Sequence, residues 1–276
     1  MIQGLSVDVK NKLLKKAACC SGGASFMNIG SVPYLNALPL IASLEEEPRL
    51  EVPAALVRLL KIDELDIALA PIACLFDHPE WKIIDGIGLG TKGAIRSVKL
   101  SFNKSSITIY NIKSIYTGIE SVSSLLLLKV LLVKKYGRRL DEISMTGPIP
   151  GGDEEAQLVI GDKALKENSP YSIDLGLEWT SWTRLPFVFA GWISRSSTVD
   201  ASIIRKLKNC RDRSLKNLET IIPITREFST AFLKEYFTEN LSYELGEAEK
   251  KGIVLFHRYA AELGLAAKGW EPHFIV

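Results

Sequence analysis

Apolar positions follow two different periods along this chain. Near the start, IGSVPYLNALPLI at residues 29–41 reads as a short strand that ends in a Pro-Tyr turn and re-enters as a helix carried on to Leu44. A second unit begins at Val52, where Pro53 suits the first helical position and Leu56, Leu59 and Leu60 fall on one face. DIALA at 66–70 then forms the continuous apolar run of a strand buried in a parallel sheet, closed by Pro71. The succession strand, helix, strand predicts an α/β sheet with a crossover helix.

Two later runs, SVKLSF at 97–102 and FVFAGWI at 187–193, read as strands crossing between lobes. Between them lie a helix at 123–136 ended by Gly137, a Gly/Pro-rich loop TGPIPGG at 146–152 and a strand LVIGD at 158–162. Helical spacing returns at 205–207, 228–236 and 253–263. The layout predicts a two-lobed α/β protein with the second lobe inserted in the first and a ligand cleft between them. Residues 27–98 and 194–276 make the first lobe and 99–193 the second. Residues 1–26 are expected to be a poorly ordered extension, because Met27 stands directly before the organising strand.

Composition narrows the function. The 276 residues are 47% hydrophobic and 24% charged, enough for a sizeable globular core. Of the net charge of +2, Lys10, Lys12, Lys15 and Lys16 against Asp8 account for more than all, so no basic face for nucleic acid is implied. Cys19, Cys20, Cys74 and Cys210 show neither zinc-site spacing nor a disulfide framework, which points to a reducing compartment. KKAACC lacks the apolar run of a lipoprotein signal, and the longest apolar stretch, at 125–133, is broken by Lys129. A soluble, cytoplasmic protein is expected. His78, His257 and His273 complete no metal site, GIGLG at 86–90 lacks a dinucleotide-binding context, and no nucleophile elbow occurs.

The candidate site residues gather where strands meet helices. Tyr34, Asn36 and the amides after Pro33 form a corner suited to a small anion, although Asn36 also reads as an ordinary N-cap. Ser121, Ser123 and Ser124 open the leucine-rich helix, either as carboxylate-binding hydroxyls or as a cap. Gly93 and Ser97 sit where the first crossing strand begins. Gly161 and Asp162 end a buried strand, where open α/β sheets place ligand contacts, and Asp162 equally reads as the N-cap of the next helix.

SVPYLNALPL resembles the SYLNTLPL opening of the chorismate dehydratase family. KGAIRSV at 92–98 is similar to that family's G-x-x-x-SV segment, and LVIGDKAL at 158–165 to its IGD-x-AL strand. IDLGLEWTSWTRLPFVFAGW at 173–192 resembles its DLGEEW…LTGLPFVFA-x-W block, and residues 243–265 its C-terminal helices. The sister dihydroxynaphthoate synthases open with a different Cys-Pro-Asn-type motif. In this chain Pro33 and Ala37 replace a family Ser and Thr, while Glu120 and Val122 interrupt the family's serine loop, where a carboxylate repels a dianionic substrate.

The resemblance implies a type 2 periplasmic-binding-protein fold and the dehydration of chorismate to 3-[(1-carboxyvinyl)oxy]benzoate, the first step of the futalosine route to menaquinone. It implies no metal and no redox cofactor, since aromatisation drives the loss of water. By that resemblance Asn36 hydrogen-bonds at the reacting ring or hydroxyl, Ser123 and Ser124 hold a carboxylate, and Ser97 contacts substrate from the hinge strand. The base is either Asp162 or one of the substrate's own carboxylates. A non-enzymatic solute-binding protein with the same lobes, and a silent relative, are the other readings.

Overall fold

In a computed structural model of the protein, the described residues are 27–118, 122–147, 151–167, 169–195, 199–222 and 227–276. The expected strand–helix–strand start folds as a parallel sheet: β1 (Ile29–Ser31), a 3₁₀ turn Leu35–Ala37, α1 (Leu38–Ile41), β2 (Arg49–Leu50), α2 (Pro53–Lys61) and β3 (Ile67–Pro71). Pro53 fills the first helical position of α2, and Leu56, Leu59 and Leu60 are buried on the face that packs on β3. All five β3 residues are buried, as a strand covered on both faces requires.

The chain continues through α3 (Cys74–Asp77) and β4 (Lys82–Thr91), then leaves this sheet along residues 92–97. A second sheet follows, with β5 (Val98–Phe102), β6 (Ser114–Tyr116), α4 (Val122–Val130), β7 (Ser144–Thr146), β8 (Ala156–Ile160), α5 (Asp162–Lys166), β9 (Ser172–Asp174) and α6 (Leu175–Thr183). Its strand order is β7-β6-β8-β5-β9. Residues 184–186 return the chain to β10 (Phe187–Ser194), followed by α7 (Ala201–Lys216), α8 (Leu218–Ile221), α9 (Thr230–Glu235), α10 (Glu247–Glu262) and β11 (His273–Ile275). The first sheet is completed in the order β11-β4-β10-β3-β1-β2. One lobe is therefore inserted in the other, as expected.

Two expectations need correction. Neither apolar run crosses between lobes: among the described residues β5 pairs with β8 and β9, while β10 lies antiparallel between β3 and β4. The run 187–193, placed in the second lobe from sequence, is a central strand of the first. All eight β10 residues are buried, and a run without alternation carries no record of which sheet it enters. The lobes are joined by residues 92–97 and 184–186, which leave side by side because Phe187 pairs with Thr91. The helix read at 123–136 is α-helical only to Val130. It then widens into a π-helical turn, Leu131–Lys135, before Gly137 ends it at φ 65°.

Among the described residues no helix is long and apolar enough to cross a membrane. Cys74 and Cys210 are buried and unbridged, whereas Cys19, Cys20 and the whole 1–26 segment lie outside the described residues.

Candidate functional site

A cleft opens between the two sheets. Val32, Tyr34 and Asn36 of the first turn, Pro71 at the end of β3 and Phe189 of β10 line one side. Ser97, Val98, Ser124, Ile160 and Gly161 line the other. Among the described residues that line the cleft there is no Lys, Arg or His, and those residues offer amides, hydroxyls and apolar walls.

Asn36 faces this space for a backbone reason. It lies inside the 3₁₀ turn, whose N-cap is Tyr34, and α1 starts from Ala37, so the side chain caps nothing and the N-cap reading fails. Its Oδ1 is buried without a hydrogen-bond partner, a costly state unless a ligand or water supplies a donor. The Tyr243 hydroxyl donates to the Asn36 carbonyl at 3.0 Å and holds the turn from behind.

Ser97, at the end of the first linker, is fully buried, and its hydroxyl also has no partner within ordinary hydrogen-bond geometry. Its carbonyl accepts from the Gly161 N–H at 2.8 Å, which ties the linker to the end of β8. Gly161 adopts φ 65°, and a Cβ there would stand 3.0 Å from the Tyr34 ring. Only glycine gives both the positive φ and the approach of the ring across the cleft. Tyr34 and Gly161 thus meet, one from each lobe.

Asp162 does not cap α5, whose N-cap is Gly161. Its Oδ1 instead accepts from the Leu35 N–H at 3.0 Å, so the carboxylate reaches across the cleft to the residue before Asn36. Burial pushes its pKa up to about 6 despite that amide and Lys166, with Glu227 adding to the rise. Ser123 is also drawn away. Its hydroxyl accepts from the Ala73 N–H at 3.2 Å, and it is not part of the lining, whereas Ser124 is. Gly93 makes no close approach, a Cβ there meeting nothing within 4 Å. Ser121 and Glu120 lie outside the described residues. Among the described residues no three His, Cys, Asp or Glu side chains converge on a point where a metal ion could sit.

The sequence reading missed Asp174. Its carboxylate accepts from the Ile95 and Arg96 amides at 3.1 and 2.6 Å and from Leu177 N–H at 2.9 Å, clamping the first linker to the start of α6. Burial raises its pKa, and those amides partly offset the rise. The Asp before an apolar helix in IDLGLEW is an N-cap signature and carried half of this role. Arg96 takes φ 59° within the same clamp. Tyr243 had no signal, since only the tertiary fold brings its hydroxyl to the Asn36 carbonyl.

Two lobes joined by paired linkers, with a cleft between them, define a protein of the periplasmic-binding-protein fold. The Escherichia coli periplasmic aliphatic sulphonate binding protein superposes with a TM-score of 0.61 at 14% identity, covering 92% of this chain and 94% of that one. A crystal structure of a protein from Archaeoglobus fulgidus gives 0.63 at 14% identity, covering 87% and 98%. The family described as menaquinone biosynthesis matches residues 27–262, and the chain belongs to it. A chorismate dehydratase of Thermus thermophilus is 27% identical over 271 residues, covering 84% of this chain and 96% of the relative.

Proposed function

We propose that this chain dehydrates chorismate to 3-[(1-carboxyvinyl)oxy]benzoate in the cytoplasm, as the first step of the futalosine route to menaquinone. The observation that carries the reading is a cleft whose described lining holds no Lys, Arg or His, with Asn36 Oδ1 and Ser97 Oγ as buried polar atoms short of partners, in a chain similar to a chorismate dehydratase.

The reaction removes a proton from the ring carbon that carries the enolpyruvyl ether. The C–H electron pair becomes a ring double bond, and hydroxide leaves the adjacent carbon to become water. The protein has to orient the substrate, aid the departing hydroxyl and supply a base. We assign the first two tasks to Asn36 and Ser97, which line the cleft with buried polar atoms. Asp162 is poorly placed for the third, because its Oδ1 is committed to Leu35 and it does not line the cleft. Because the described lining carries no cation, a substrate carboxylate there is poorly solvated, which raises its basicity, and we assign it the base role. Ser124, which lines the cleft, is assigned to a carboxylate, whereas Ser123 is turned to Ala73.

The test is to incubate the pure protein with chorismate, with and without a chelator, and follow the aromatic product. Product in both samples is expected. Chorismate binding without product would replace the reading with that of a solute-binding or silent relative, and activity lost to the chelator and restored by zinc would overturn the mechanism.

A further inference from the structure

The Asn36 side chain reaches the cleft from a turn that has little of its own to hold it. Residues 35–37 make one 3₁₀ turn, and α1 adds only Leu38–Ile41, within which Pro39 contributes no N–H. Neither element is capped by a side chain. The direction of the turn is therefore set from elsewhere in the chain, and two hydrogen bonds meet it. The Leu35 N–H donates to Asp162 Oδ1 at 3.0 Å, and the Asn36 carbonyl accepts from the Tyr243 hydroxyl at 3.0 Å. The first bond comes from the opposite lobe. The second is made within the first lobe, so it does not depend on how the two lobes meet.

The segment that carries Tyr243 is fixed along β4. Ser242 bridges Gly90 in antiparallel fashion, each N–H donating to the other's carbonyl at 2.8 Å, and the Tyr243 carbonyl accepts from the Gly88 N–H at 3.2 Å. The ring is buried in the core. Burial raises the pKa of the phenol well above its ordinary value, so the hydroxyl keeps its proton and remains a donor. Tyr243 is not among the residues that line the cleft, whereas Asn36 is, with Oδ1 buried and without a partner. Any effect of the hydroxyl on the reaction passes through the Asn36 backbone.

We infer that Tyr243 is a positioning residue: its hydroxyl, anchored through β4, holds the Asn36 carbonyl and so keeps the Asn36 amide aimed at the reacting group in the cleft. The inference rests on the proposed dehydration. A polar group displaced by about 1 Å from its productive place can cost on the order of 100-fold in rate, and a turn this short moves its side chain whenever its own backbone tilts.

The experiment is a cycle of four proteins: wild type, Tyr243→Phe, Asn36→Ala and the double variant. Phenylalanine keeps the buried ring and removes only the donor. Tyr243→Phe should lower kcat per folded molecule about tenfold, with KM changed by less than about threefold, and the double variant should match Asn36→Ala. A lower denaturation midpoint with kcat within about twofold of wild type would make Tyr243 a purely structural residue and overturn the inference. Losses that multiply in the double variant overturn it as well, because the hydroxyl would then act without Asn36. A wild type that makes no product refutes the dehydration instead. Chorismate affinity over the same four proteins then decides the role of Tyr243: a loss for Tyr243→Phe that disappears in the Asn36→Ala background supports positioning, and an equal loss in both backgrounds, or none in either, overturns it.

Discussion

Asp162→Asn separates a latch between lobes from a catalytic base. A carboxyl whose folded pKa is about 6, against 3.8 unfolded, costs about 3 kcal/mol to carry ionised in the folded state. The sign follows from proton binding. Between about pH 4 and 6 the folded form holds a proton that the unfolded form has lost, so this group's contribution is fully present below pH 4 and is lost as pH rises through 6. Asparagine does not titrate and keeps an oxygen that accepts from Leu35 N–H. The variant should therefore gain on wild type as pH rises, by up to about 3 kcal/mol at pH 8, with the difference shrinking to a small constant near pH 4. Urea denaturation of both proteins from pH 4 to 8 measures it, because all other carboxylates titrate alike in the two and cancel. A difference that stays flat with pH would refute the burial argument. Turnover on the same preparations decides the chemistry. If Asp162 only bridges the lobes, the rate per folded molecule stays within about tenfold of wild type, whereas abolished turnover in a folded variant would make Asp162 the base.

Asn36→Ala should lower turnover about 100-fold, about 3 kcal/mol, with a smaller loss of chorismate affinity, because a buried amide aimed at the reacting group acts most in the transition state. Its melting temperature should hold, since the side chain caps no helix, and a stable variant with near-normal turnover would remove Asn36 from the site. Gly252→Ala should destabilise the fold by about 1–3 kcal/mol: an added Cβ would sit 2.3 Å from the Pro186 carbonyl, where α10 packs against the returning linker. Equal denaturation midpoints for the two proteins would contradict that packing.

Periodicity determined the elements, because burial of one helix face or of a whole strand is written locally in which positions are apolar. It was enough to predict β1, α2, β3 and the insertion of one lobe in the other. The motif blocks likewise brought Tyr34, Asn36, Ser97, Ser124 and Gly161 onto a single list, and the fold gathers those five around one cleft. What the sequence left open is partnership. FVFAGWI is equally buried in either sheet, and only the antiparallel pairing with β3 and β4 placed it in the first. Ser123 and Asp162 looked like ligand contacts or caps for their own helices, yet each carries a hydrogen bond to a backbone amide of the opposite lobe, at Ala73 and Leu35. Such a bond joins residues 50 and 127 positions apart. Tertiary packing decided which oxygen meets which amide, because a side chain's own sequence neighbourhood fixes its chemistry and its direction but not what the rest of the chain brings within 3 Å of it.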